Sequence, residues 1–193
     1  MKLKKRLLVL AAIVACLAIL GLGSAAYFST RATAHNVITT GEIAIAVVEQ
    51  QRDGGQLLPY PDQPIAIMPG TTVSKIVSVR SDEAPAYIRM KYTVSACDEH
   101  GNLIPGSLDG IVSIDAGSAN WVEKDGWWYY TRTLDAGETT EPLFESVSFS
   151  GTGMGNAYQN ATLTIFIHAQ AVQAANNPAP DGDVTAVSGW PKE

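Results

Sequence analysis

Cysteine is nearly absent from this 193-residue chain, which holds only Cys16 and Cys97. Cys16 lies in an apolar N-terminal run, so once that run is cut away no internal disulfide is possible and the fold must rest on core packing. Cys97 continues an alternating strand pattern and reads as a buried structural thiol. Histidine is also scarce: His35, His100 and His168 are the only three. No two of them stand at the spacing of a local zinc motif such as His-Glu-x-x-His, and surface positions account for all three. There is no Gly-x-Ser-x-Gly elbow, and no His and Asp arrangement surrounds Cys97, so hydrolase chemistry is unsupported. The glycines Gly151, Gly153 and Gly155 lack the Lys and the helix of a phosphate loop and read as an inter-strand loop. Asp181 and Asp183 lack the rest of a calcium shell. These absences point to a protein that is not an enzyme, with no catalytic residue, metal or cofactor to assign.

Long apolar runs are confined to the start of the chain. Lys2, Lys4, Lys5 and Arg6 precede an uncharged stretch from Leu7 to Leu22, and Ser24-Ala25-Ala26 supplies the small side chains that a signal peptidase inspects. The run is short for a membrane span and ends without a basic stop-transfer cluster. A lipid-attachment reading of Ile13-Val14-Ala15-Cys16 fails because Leu17 to Leu20 stay apolar. Residues 1–26 are therefore expected to be a signal peptide, cut between Ala26 and Tyr27. Removing them takes four of the thirteen Lys and Arg and none of the nineteen Asp and Glu, which leaves a net charge of −10 over 167 residues. An acidic surface repels phosphate backbones, so nucleic acid is excluded as a natural partner.

No amphipathic helix is evident beyond the leader. Ile43, Ile45 and Val47 alternate, as do Val73, Val77 and Val79, with Lys75 as the exception. Ala86 to Ala96 and Leu163 to Ala171 alternate cleanly, the pattern of strands with one buried face. Shorter candidates are Gly110 to Ile114, Leu143 to Phe149, and a hairpin from Asn120 to Thr133 turning at Asp125-Gly126. Short strands between turn signals predict an all-β protein, an antiparallel β-sandwich over residues 41–175. Gln51 to Pro64 and a C-terminal tail at 176–193 read as loosely held. Residues 27–40 read as a flexible, polar arm. In the hairpin, Trp127 and Tyr129 point one way and Trp128 and Tyr130 the other, so one pair needs a second cover. That cover is a loop of the same molecule, a neighbouring subunit or a sugar ring.

Several stretches together resemble the TasA and camelysin family (CalY among its members) of exported proteins. They are Ala25-Ala26-Tyr27-Phe28-Ser29, Thr40-Gly41-Glu42-Ile43-Ala44-Ile45, Pro69-Gly70-Thr71-Thr72-Val73, Ala86-Tyr87-Ile88-Arg89, and the ending Ala171 to Ala174 with Ala186 to Pro191. The resemblance implies a jelly-roll sandwich behind an N-terminal signal helix. It also implies cleavage by a dedicated endoplasmic-reticulum-type (SipW-like) signal peptidase, and secretion to the matrix or surface of a Gram-positive cell. There such proteins self-associate into biofilm fibres by donor-strand exchange, with matrix polysaccharide or a second matrix protein as further partners. Carried onto this chain, the donor strand begins at Tyr27 and ends near Thr40, with Tyr27, Phe28, Val37 and Ile38 as its pocket-filling side chains. Two other readings stand beside it: a carbohydrate-binding surface module using Trp127 or Trp128, and a camelysin-type surface metalloprotease, whose zinc ligands the sequence does not supply.

Overall fold

The computed structural model describes residues 28–39, as strand backbone, and 43–191. The expected signal peptide and the Ala26–Tyr27 boundary lie outside the described residues. The described chain is all-β, with no helix of seven residues or more. One sheet has six strands in the order β4 (Ile65–Ile67), β1 (Phe28–Thr39), β11 (Thr162–Gln173), β6 (Ala86–Cys97), β9 (Trp127–Tyr130), β8 (Trp121–Lys124). The other has five, in the order β3 (Gln56–Pro59), β2 (Ile45–Asp53), β5 (Thr72–Ser81), β10 (Phe144–Phe149), β7 (Val112–Ile114). Every pairing is antiparallel except that of β1 with β11.

The alternating runs form the strands their period demands, because successive side chains of a strand point to opposite faces. Ile88 and Met90 of β6, Leu163, Ile165 and Ile167 of β11, and Val77 and Val79 of β5 bury one face each. They join Phe144, Val147 and Phe149 of β10 in a single apolar core to which both sheets contribute. The predicted hairpin is β8–β9, and its turn residues Asp125 and Gly126 have φ of 54° and 78°, the left-handed pair that a two-residue turn requires.

Four expectations need correction. Residues 27–40 were expected to be an unpaired arm, but β1 lies within the larger sheet, between β4 and β11. Gln51 to Pro64 is not loose throughout: Gln56–Pro59 pairs with the end of β2 around a Gly54-Gly55 turn. The tail is docked, with Val184, Val187 and Pro191 buried. Cys97 is half-exposed, because Ala96 takes the inward position of that strand end.

Lys75, which broke the pattern of β5, shares the inward face of Val77 and Val79 and is fully buried, at 0% exposure. Its Nζ lies 2.8 Å from a carboxylate oxygen of Glu49 on β2 and 3.8 Å above the ring of Tyr60. Tyr60 is itself tied back by its amide, which donates to the carbonyl of Glu49 at 3.0 Å. A buried ammonium without partners is very unfavourable; the carboxylate and the ring face offset that cost. Burial nevertheless holds the Lys75 pKa below its ordinary value, with Glu49 opposing the shift. Burial, and then the charge of Glu49, push the Tyr60 phenol up to about 12.

Glu49→Ala is expected to lower the free energy of unfolding by about 3 kcal/mol, because the buried Lys75 loses its counter-charge and keeps only the ring face of Tyr60. Lys75→Met combined with Glu49→Leu is expected to be near neutral or stabilising. Urea unfolding of the three proteins measures both. The folded state sheds the Lys75 proton before the unfolded chain does, so stability is expected to rise as pH climbs through the window below 10.5. It is then expected to fall between pH 10 and about 12, where the unfolded chain loses the Tyr60 proton that the folded state keeps. Lys75→Met removes the rising limb, and Tyr60→Phe makes the falling limb shallower.

Candidate functional site

Two features of the larger sheet stand out as sites of interaction. The first is the seam between β1 and β11. Nine parallel pairs join them, from Ser29↔Thr162 to Thr39↔Ala171, with a register shift between Ala34 and Val37. On its other side, among the described residues, β1 pairs only with β4, at Phe28, Ser29 and Thr30. From Arg31 to Thr39 it therefore hangs on one ladder. β11 is held on its far side by twelve pairs with β6. Its inward residues Leu163, Ile165, Ile167, Ala169 and Ala171 are buried at 1% exposure or less. Without β1, the twelve-residue β11 would present a main-chain edge backed by apolar core. The sequence reading placed Tyr27, Phe28, Val37 and Ile38 in a donor segment. Phe28, Val37 and Ile38 lie in β1 and Tyr27 precedes it, outside the described residues.

The second feature is the aromatic hairpin on the outward face of the same sheet. Trp127 and Tyr129 of β9 point outward, yet they are only 8% and 6% exposed. Their cover is the C-terminal tail, whose Val184 and Trp190 join them and Tyr87 in a small separate cluster. Arg89 of β6 lies at its centre, its guanidinium 4.1 Å from the Trp127 ring centroid and 4.6 Å from that of Trp190. Nε and Nη2 of Arg89 donate to Oε1 of Gln170 at 2.9 and 2.6 Å, and Nη1 donates to the Tyr129 hydroxyl at 3.2 Å. The rings of Tyr129 and Trp190 meet edge to face at 5.7 Å, and those of Trp127 and His168 at 5.3 Å. A guanidinium forked onto one amide and stacked between two indoles is a fixed anchor, because its planar shape satisfies all these contacts at once.

On the inward side, Tyr130 is fully buried and packs its ring against Trp121 at 5.1 Å. Its hydroxyl donates to the carboxylate of Glu141. Trp128 is half-buried against Gly117, whose φ is +96°; a Cβ there would sit 2.5 Å from the indole. Of the four residues singled out in the hairpin, Trp127, Tyr129 and Tyr130 find their cover within the molecule and Trp128 is covered in part. The rings of Trp127, Tyr129 and Tyr130 meet Arg89, Trp190 and Trp121, whereas Trp128 keeps part of its surface exposed.

Sequence reasoning missed Arg89, Gln170 and Trp190 as parts of one cluster. Arg89 and Gln170 are directly opposite each other in the β6–β11 register, so strand pairing was the signal that could have joined them. Among the described residues, no three His, Cys, Asp or Glu side chains converge on a metal position. His100 lies in a turn in which its amide donates to Asp98 at 2.9 Å. No protein-family model, curated protein or solved structure matches the chain.

Trp190→Ala is expected to cost about 2 kcal/mol through lost packing and cation–π contact. It should also speed amide exchange across residues 178–190 while leaving β11 protected. Gly117→Ala is expected to destabilise the chain by a similar amount, since the new methyl displaces the Trp128 ring at an already left-handed backbone.

Proposed function

We propose that this chain is a secreted, non-enzymatic structural protein. It acts as a subunit of extracellular matrix or surface fibres, a jelly-roll sandwich that polymerises by donor-strand exchange. In that reading, β1 of one copy leaves its own seam and pairs with β11 of the next. The observation that carries it is the one-sided hold on β1: nine pairs to β11, but only three residues of β4 on the other edge. The strand is continuous with the sheet, yet among the described residues its departure disturbs no ladder except those two. Exchange conserves the pairs, so the folded and the assembled states satisfy the same main-chain groups, and the contact is head-to-tail and propagates. The leader-like start and the family resemblance agree with export to the place where such fibres form.

The test uses the chain from Tyr27 onward with Cys97→Ser, Thr33→Cys and Phe166→Cys; residues 33 and 166 are register partners in the seam. Oxidised as monomer, the cross-link pins β1 at home, and no filaments are expected by electron microscopy. Assembled under reduction and then oxidised, the fibres are expected to give a ladder of covalent multimers on a non-reducing gel. Filaments from the pinned monomer, or oxidised fibres that run as single chains, would sink the exchange reading.

A further inference from the structure

An amine and a carboxyl group meet inside the smaller sheet. Glu49 of β2 stands opposite Val77 of β5, and the ladder between the two strands ends one pair later, at Gln50↔Ile76. Beyond that point β2 pairs with β3, from Gln50 to Asp53. Lys75 lies two residues from Val77 on the same inward face, so its side chain runs diagonally to Glu49 across the place where β2 and β5 part.

Burial decides which chemistry is open to the pair. The Lys75 side chain is 0% exposed and that of Glu49 12%, with Nζ 2.8 Å from Oε1. The Tyr60 ring covers the amine from 3.8 Å. Neither Nζ nor Oε1 has a further hydrogen-bond partner among the described residues. Where water is scarce, a pair of charges loses ground to the neutral pair made by passing one proton from Nζ to the carboxylate. The result is an amine with a free lone pair against a carboxylic acid, the two halves of an amide.

Position supplies the rest. In water such a condensation is slow and the solvent opposes it, but groups held face to face act at an effective concentration of about 10⁵ M or more. Cδ of Glu49 is one bond beyond Oε1 and so no more than about 4 Å from Nζ, close to the roughly 3–3.5 Å at which reacting atoms meet.

We propose that Lys75 and Glu49 close an amide bond between β5 and β2 once the chain has folded. Nζ attacks Cδ of Glu49: the Nζ–Cδ bond forms, the Cδ–OH bond breaks, and the hydroxyl leaves with one proton of the amine as water. Nothing is oxidised or reduced, and no co-reactant is needed. The ion pair is the reactant, so the titration of Lys75 and the cost of Glu49→Ala belong to chains whose bond is still open. Closed, the bond ties the base of the β2–β3 hairpin to β5, in a molecule whose one described cysteine, Cys97, is free. It is independent of strand exchange, since neither residue belongs to β1 or β11.

The chain from Tyr27 onward, purified folded and held for days at neutral pH, is weighed under denaturing conditions by mass spectrometry. It is expected to fall short of the mass of its sequence by one water. A tryptic digest is expected to show no cut after Lys75 and one branched species that joins Lys75 to Glu49. Glu49→Gln is expected to lose one ammonia instead, because a carboxamide releases its nitrogen. Lys75→Met with Glu49→Leu, and the unchanged sequence kept in urea throughout, are expected to retain full mass. An unchanged sequence of full mass after folding would overturn the proposal. So would a lost water that persists in the double variant, or one that maps to an Asp-Gly step such as Asp53-Gly54 or Asp125-Gly126, where a succinimide forms by the same loss.

Discussion

Everything in the larger sheet depends on satisfying both edges of β11. This strand is buried on its inward face and covered on much of its outward face, so its amides and carbonyls have little access to water. Main-chain polar groups kept from water must find partners, and β6 supplies one full row of them. The other row falls to β1, a segment with the composition of a linker. The sheet therefore requires a strand at that place more than it requires any particular side chains in it.

That requirement explains what the sequence disclosed and what it hid. Ile88, Met90, Leu163 and Ile165 announced their strands, because a face shared with the core imposes period two on the side chains. Asp125-Gly126 announced its turn, because few residues accept positive φ. β1 gave no such sign: Ser29 to Asn36 is polar and unpatterned, and its place comes from main-chain pairing, which any composition except proline can supply. The β3 hairpin was hidden for a related reason. Leu57 and Leu58 are adjacent, so neither period fits, and the strand has no core face to impose one.

The hairpin and tail were legible in part. Parity along Trp127 to Tyr130 required two covers, and Trp121 with Gly117 on one side and Trp190 on the other provide them. The tail reads as loose because its anchors, Val184, Val187 and Trp190, fall at every third residue, starting in a short 3-10 turn, and so match neither the period of a strand nor that of an α-helix. Lys75 shows the opposite limit. A break in an apolar pattern looks like an error of register, whereas here it marks an ion pair whose other half lies on a neighbouring strand. Pairing partners distant in sequence are invisible to periodicity, and the same holds for Arg89 with Gln170. Cys97 was a different case, since the outward parity next to Ala96 was already visible.

The parallel register of β1 and β11 has a mechanical consequence. When two parallel strands are drawn apart by the start of one and the end of the other, the load runs along the seam, and every rung resists at once. A seam pulled open from one end would instead break its rungs in turn. Nine rungs sharing the load make this junction stiff under axial tension, yet easily peeled from the side.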